Sequence, residues 1–276
     1  NEVTFGALTN AEFEDKCNGI NVVSPLEQAI YVQTKELLSS PANRALFDEN
    51  YPKKSIPRRN TGYALDLLAD SQPFGDPTEK FNFCKLIAGS EGTLFFSTSI
   101  KLNLVDALKP FAALVCVHHN SINESLKANL EALKFKPDSV ELIDHYILEC
   151  TKENIEQSKN RFFVEGDPQA SLVVEFLRDS QEEILQLAKE MEAVMRSKGL
   201  GYHFPIVFGE DTNKVWNLRK AGLGLLSNIP GDAKAVAVIE DTAVDVNDLP
   251  DFIEDFNAIL KERNLSCVHY AHAATG

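Results

Sequence analysis

The sequence predicts an α+β fold in two parts, and three observations predict it. After Val105, apolar alternation and helical periodicity take turns regularly, as strands and amphipathic helices do. Before it, proline and glycine crowd residues 52 to 80 too densely for a long element. In the second part the strand, helix, strand grammar occurs twice, the pattern of a ferredoxin-like sheet with helices on one face. A boundary near residues 105 to 110 divides the chain into domains 1–107 and 108–276. The 276 residues suffice for two cores, and 44% hydrophobic with 25% charged residues is ordinary globular composition.

Taken in order, Glu2 to Gly6 alternates like a strand in progress. Residues 25 to 47 carry apolar positions at helical spacing, with Pro25 near the start and Asp48-Glu49-Asn50-Tyr51-Pro52 closing, so one or two helices are expected. Pro52, Pro57, Gly62, Pro73, Gly75 and Pro77 make residues 52 to 80 a structured loop, with a short helix between Gly62 and Ala69. Residues 85 to 104 read as strand, turn, strand around Gly89-Ser90-Glu91-Gly92. Strands then follow at 111–118, 138–143, 170–177, 202–208, 233–240 and 265–272, and helices at 121–134, 144–158, 180–198, 211–222 and 246–263. The helix at 180–198 has the fullest signal: Ser180 to cap it, Glu183 three residues on, and Gly199 as the stop. Asn1 opens the chain in place of a methionine and the last strand runs straight to Gly276, so a segment of a longer protein is expected.

Charge and composition exclude several function classes. With 41 acidic and 27 basic residues the net charge is −14, which repels nucleic acid and anionic lipid. No apolar run approaches the roughly 20 residues of a spanning helix, and no export signal opens the chain. A cytoplasmic protein without membrane insertion is expected. Five scattered cysteines with no C-x-x-C pair read as reduced, mostly buried thiols.

Among residues able to carry chemistry, Gly89-Ser90-Glu91-Gly92-Thr93 sets two glycines around a small polar residue and an acid. Such a turn either cradles a phosphate or flavin edge with its amides or is a plain tight connection. Arg219 has Val215, Trp216, Gly222 and Leu223 as helical neighbours, an apolar face on which a guanidinium either snorkels to water or meets a buried anion. Lys234 opens a strand with two apolar faces, as a surface cap or as a cation at the mouth of a central strand. His272 ends a strand on the face of Tyr270, with His269 opposite. Arg58 and Arg59 face an anion or water. His118, His119, His145 and His203 show no triad or metal spacing and read as structural.

A resemblance then bears on these residues. Lys85-Leu86-Ile87-Ala88-Gly89-Ser90-Glu91-Gly92-Thr93-Leu94, with Thr61-Gly62-Tyr63 upstream, resembles the G-S-E-G-T-L and T-G-Y segments of the PCMH-type FAD-binding domain of vanillyl-alcohol-type oxidases. Trp216 to Arg219, Ala237 to Val244 and His272 to Gly276 resemble landmarks of the substrate domain of FAD-linked 2-hydroxyacid dehydrogenases acting on D-lactate, glycolate or D-2-hydroxyglutarate. The resemblance implies that Gly89, Ser90, Glu91, Gly92 and Thr93, with Thr61, Gly62 and Tyr63, belong to an FAD site whose first half would precede Asn1. It implies that Arg219 and Lys234 bind the substrate carboxylate and that His272 acts as base. Electrons would leave through an acceptor protein or a fused iron–sulfur domain, for which no residue here offers ligands. In many such proteins the histidine of this last motif also binds a divalent metal together with a second histidine, which would fall beyond Gly276. Ala274-Thr275 replaces a common Gly-Asp pair, which weighs against the metal, and Phe95-Phe96 departs from the usual pattern. The alternative is a non-catalytic ligand-binding or assembly module that retains the fold.

Overall fold

The computed structural model describes residues 2–276 except 60, 61, 230, 233 and 241, and leaves aside the side chains of Leu223 and Asn228. The chain forms two units, the first of residues 1–54 and 59–104 and the second of 55–58 and 105–276. Each is taken by itself.

The first unit is built on short capped helices. The Thr9 hydroxyl accepts from the Glu12 amide while the Glu12 carboxylate accepts from the Thr9 amide, starting α1 (Asn10–Cys17). Ser24 and Ser40, each followed by proline, start α2 (Pro25–Ser39) and α3 (Pro41–Asn50), the two helices that residues 25 to 47 allowed. Leu65–Ala69 forms α4 and Cys84–Ile87 forms α5. Their common core is aromatic: Phe13, Tyr31, Phe81 and Phe83 are buried and meet mostly edge to face, at centroid separations of 4.6 to 6.4 Å.

Three expected strands of this unit are corrected. Residues 85 to 87 lie in α5, because the apolar spacing that matters begins at Phe83 and recurs at Leu86 and Ile87, a helical period into the aromatic core. The Asn82 carboxamide oxygen accepts from the Cys84 amide at 2.9 Å and starts that turn. Ile100, Leu102 and Leu104 alternate as expected but form no ladder among the described residues, and their side chains are exposed. Glu2 to Gly6 likewise joins no strand; the nearby Leu8–Phe81 bridge is isolated.

The second unit is organised by a five-stranded antiparallel sheet in the order β4-β1-β3-β2-β5, comprising β1 (Phe111–His119), β2 (Ser139–Asp144), β3 (Ala170–Arg178), β4 (Ile206–Phe208) and β5 (Tyr270–Ala271). β1 and β3 pair over nine residues, from Phe111–Arg178 to His119–Ala170. Both faces of these strands are apolar and buried, Val115 and Val117 on one side and Leu114 and Cys116 on the other. Such strands need a layer on each face, so the expected single helical layer is corrected to two. On one face α6 (Ile122–Ala132) and α8 (Gln181–Ser197) supply Ala128, Ile184, Ala188, Met191 and Met195. On the other, α7 (His145–Lys152) and α9 (Asp211–Leu225) supply Ile147, Leu148, Val215 and Leu218. The last helix, α10 (Leu249–Glu262), packs beside α6.

The expected strand at 233–240 is also corrected. Its described residues join no strand, and Val236, Val238 and Ile239 are exposed. A strand apolar on both faces needs a covering layer on each, and these exposed side chains have none. The expected strand at 265–272 keeps only Tyr270–Ala271 in the ladder, and that at 202–208 only Ile206–Phe208. All five cysteines are free, but only Cys116 is buried, which corrects the expectation of mostly buried thiols.

Candidate functional site

Antiparallel register brings together residues far apart in sequence. Leu142 faces Ala271 and Ile143 faces Tyr270, so one step further along β2 Glu141 comes beside His272. Glu141 shares the sheet face of Ile143, the face covered by α7 and α9. Val215, Leu218, Arg219 and Gly222 form the stripe of α9 that turns inward. A Cβ on Gly222 would stand 2.7 Å from Ile147 Cγ2, so α9 approaches α7 as closely as it does only because that residue is glycine.

Arg219 is thereby buried, with 6% of its surface exposed, and the anion it meets is the protein's own. Its Nη2 pairs with Glu141 Oε2 and also donates to the Ala271 carbonyl at 3.4 Å. Its Nη1 donates to the Tyr270 hydroxyl at 2.6 Å, and the guanidinium lies 4.1 Å from the centre of the Tyr270 ring. The remaining guanidinium nitrogen, Nε, is buried with no hydrogen-bond partner among the described residues. Glu141 also holds His272, whose Nδ1 lies 2.8 Å from Oε1 and 3.0 Å from Oε2. Glu141, only 13% exposed at its side chain, therefore joins the two residues singled out from sequence.

Lys234 stands apart. Its ammonium donates to the Ile229 carbonyl at 2.6 Å, its side chain is exposed, and no contact among the described residues joins it to Arg219. His269 points to the other face, its Nε2 3.0 Å from Asn257 Oδ1, with burial lowering its pKa. Beside it a cleft of about 290 Å³ is lined by Ser121, His145, Gln169 and Cys267 among others, but by none of the expected site residues.

In the first unit the two matched segments meet. The Tyr63 hydroxyl lies 2.8 Å from the Thr93 hydroxyl, and Gly62 O stands 3.8 Å from where a Gly89 Cβ would be. The Ser90 amide and hydroxyl both donate to Ile87 O, and the Thr93 amide donates to Ser90 O. Those donors are spent within the turn. Glu91 and Gly92 have positive φ, +49° and +75°, and their amides make no backbone hydrogen bond among the described residues. Two amides at a turn bounded by Gly89 and Gly92 are the kind of donors that suit a phosphate or flavin edge. Thr61 lies outside the described residues. Arg59 is committed internally, to Asp66 and to Pro52 O, while Arg58 is exposed.

Glu141 and Tyr270 are the site residues that sequence reasoning missed. The signal for Glu141 was partial: it lies on Ile143's face between the apolar Val140 and Leu142, but nothing in the sequence pairs it with Arg219 or His272. Spacing also missed His145, Glu149 and Asp167, whose ligand atoms lie within 4.8 Å of one another. There Lys152 already pairs with both acids and supplies the countercharge.

A family model described as "FAD linked oxidases, C-terminal domain" matches residues 109–276. The chain is 28% identical over 255 residues to a D-2-hydroxyglutarate dehydrogenase of Pseudomonas putida, a match covering 90% of this chain and 24% of that protein. Proteins of the same name from Pantoea ananatis and Escherichia coli are 28% and 29% identical, over 91% and 84% of this chain and 24% and 23% of their own length. The chain thus spans about a quarter of the length of these curated relatives.

Proposed function

Because the chain belongs to the FAD-linked oxidases through their C-terminal domain, we propose that the complete protein oxidises a 2-hydroxy acid of the D-2-hydroxyglutarate type. Arg219 contacts the substrate carboxylate. One observation carries this role: the unpaired Nε–H of a buried guanidinium is a costly vacancy that an acceptor would fill. Lys234, exposed on a long flexible stem, is the second cation for the same carboxylate. His272 takes the hydroxyl proton, so that a 2-oxo acid leaves. The chemistry that FAD would supply when bound is that of a hydride acceptor. In the first unit the free amides of Glu91 and Gly92, with Gly89, Ser90, Thr93, Gly62, Tyr63 and Thr61, hold it.

In this reading residues 1–107 are the second half of a PCMH-type FAD-binding domain and 108–276 a ferredoxin-like substrate domain. The order β4-β1-β3-β2 with α6 and α8 as connections supports the latter. Electrons pass to an acceptor domain or protein, an iron–sulfur module being one class. A divalent metal at His272 is disfavoured by Ala274-Thr275. Net charge −14 argues against a nucleic-acid partner, and five free thiols support a reducing, cytoplasmic setting. The second reading, a non-catalytic binding or assembly module, is favoured by one observation: both terminal nitrogens of Arg219 are already engaged.

The visible spectrum of the complete protein, followed without oxygen as D-lactate, glycolate or D-2-hydroxyglutarate is added, separates them. A yellow protein bleached fastest by D-2-hydroxyglutarate is expected. A colourless protein would remove the enzyme.

A further inference from the structure

We infer that Glu141 is the positioning residue of this site, its carboxylate holding the His272 proton on Nδ1 and so presenting Nε2 as the basic nitrogen. The inference rests on the proposed reaction for what Nε2 does, but not for where the proton sits. An ionised carboxylate only accepts, so with Oε1 at 2.8 Å and Oε2 at 3.0 Å the hydrogen in this contact belongs to Nδ1. The neutral ring then carries its lone pair on Nε2.

The setting separates His272 from the buried His118 and His119. His118 is enclosed, its Nδ1 3.0 Å from Cys116 O and its Nε2 accepting from the Glu165 amide at 3.3 Å. His119 repeats the arrangement, with Nδ1 3.4 Å from Glu124 Oε1 and Nε2 without a partner among the described residues, but its ring is wholly buried. His272 combines a carboxylate-bound Nδ1 with a side chain that is 50% exposed. Glu141 can orient it because Glu141 is itself fixed, on a paired strand of the sheet and against the buried Arg219. One carboxylate thus aligns the proposed base and balances the proposed anchor, tying the two functions to a single side chain.

The proton's position is read directly by nitrogen NMR of the 276-residue chain labelled with ¹⁵N-histidine, His272 being assigned by its loss in His272→Asn. At about pH 8.5 the expected His272 signal is that of the Nδ1–H form. In Glu141→Leu the ratio should move towards Nε2–H by about tenfold or more, the worth of a hydrogen bond to a charged group. Glu141→Leu/Arg219→Met leaves no unpaired buried charge and should show the same shift if the single variant does not fold. An Nε2–H wild-type ring, or a tautomer that ignores the loss of Glu141, overturns the inference. Neither readout needs flavin or turnover. A complete protein that oxidises no 2-hydroxy acid would therefore remove the reaction while leaving the tautomer result standing.

Discussion

Phe96 and Phe176 are the same residue in opposite situations. Phe96 lies in the first unit, 89% exposed, on a stretch that continues through Ile100, Leu102 and Leu104. Phe176 lies in the second, wholly enclosed, on a strand that carries Leu172 and Val174 on the same face. The apolar alternation is alike in the two stretches, but β3 is paired on both edges, by β1 and β2, while residues 94–104 are paired on neither among the described residues. Alternation sorts side chains onto faces; pairing and a covering layer make those faces a core.

The largest effect that tests this contrast is on stability. Phe176→Ala should cost about 3–5 kcal/mol by denaturant unfolding, while Phe96→Ala should stay within about 0.5 kcal/mol. Equal losses would mean that residues 94–104 are as enclosed as β3. Next comes the buried pair. Arg219→Met leaves Glu141 without its cation and should cost about 3 kcal/mol, most of it recovered in the double variant with Glu141→Leu. Additive losses would show that the two side chains do not share one interaction.

The second unit should also respond to mild acid. Burial pushes the His118 pKa from its ordinary 6.5 down to about 4, chiefly by desolvation. The unfolded chain then binds more protons than the folded one across that window, so this contribution to stability is full above 6.5 and is lost as pH falls towards 4. Unfolding midpoints measured across this range should slope less steeply in His118→Gln than in the wild type. Smallest is the first unit's turn: Tyr63→Phe removes the hydroxyl contact to Thr93 and should cost no more than about 1 kcal/mol. A larger loss would make that contact a structural centre of the unit.

Legibility followed the same physics. Strands β1, β2 and β3 were readable because both faces carry apolar side chains between clear breakers, and α8 because Ser180 and Gly199 bracket a regular stripe. Arg219 was readable as an arginine on an apolar helix face, but its partner Glu141 was not, since only the β2–β5 register brings Glu141 to His272. Periodicity misled at residues 85 to 87, where Phe83 sets a helical period, and at Val236 to Ile239, where no layer covers the apolar side chains. The turn at Gly89 to Thr93 was found as a motif. Which of its amides remain free depends on Ser90 and Thr93 bonding within the turn, a matter of geometry that composition does not express.

The central claim is that Arg219 keeps one hydrogen-bonding group for a substrate carboxylate while Glu141 and Tyr270 hold the rest. Its most direct test is rapid-mixing reduction of the flavin in the complete protein by D-2-hydroxyglutarate, wild type against Arg219→Met, with folding of both checked by circular dichroism. Loss of a charge-assisted contact should weaken substrate binding or slow reduction by roughly tenfold to a thousandfold. Unchanged reduction kinetics in a folded Arg219→Met protein would contradict it and leave Arg219 as a structural partner of Glu141 alone.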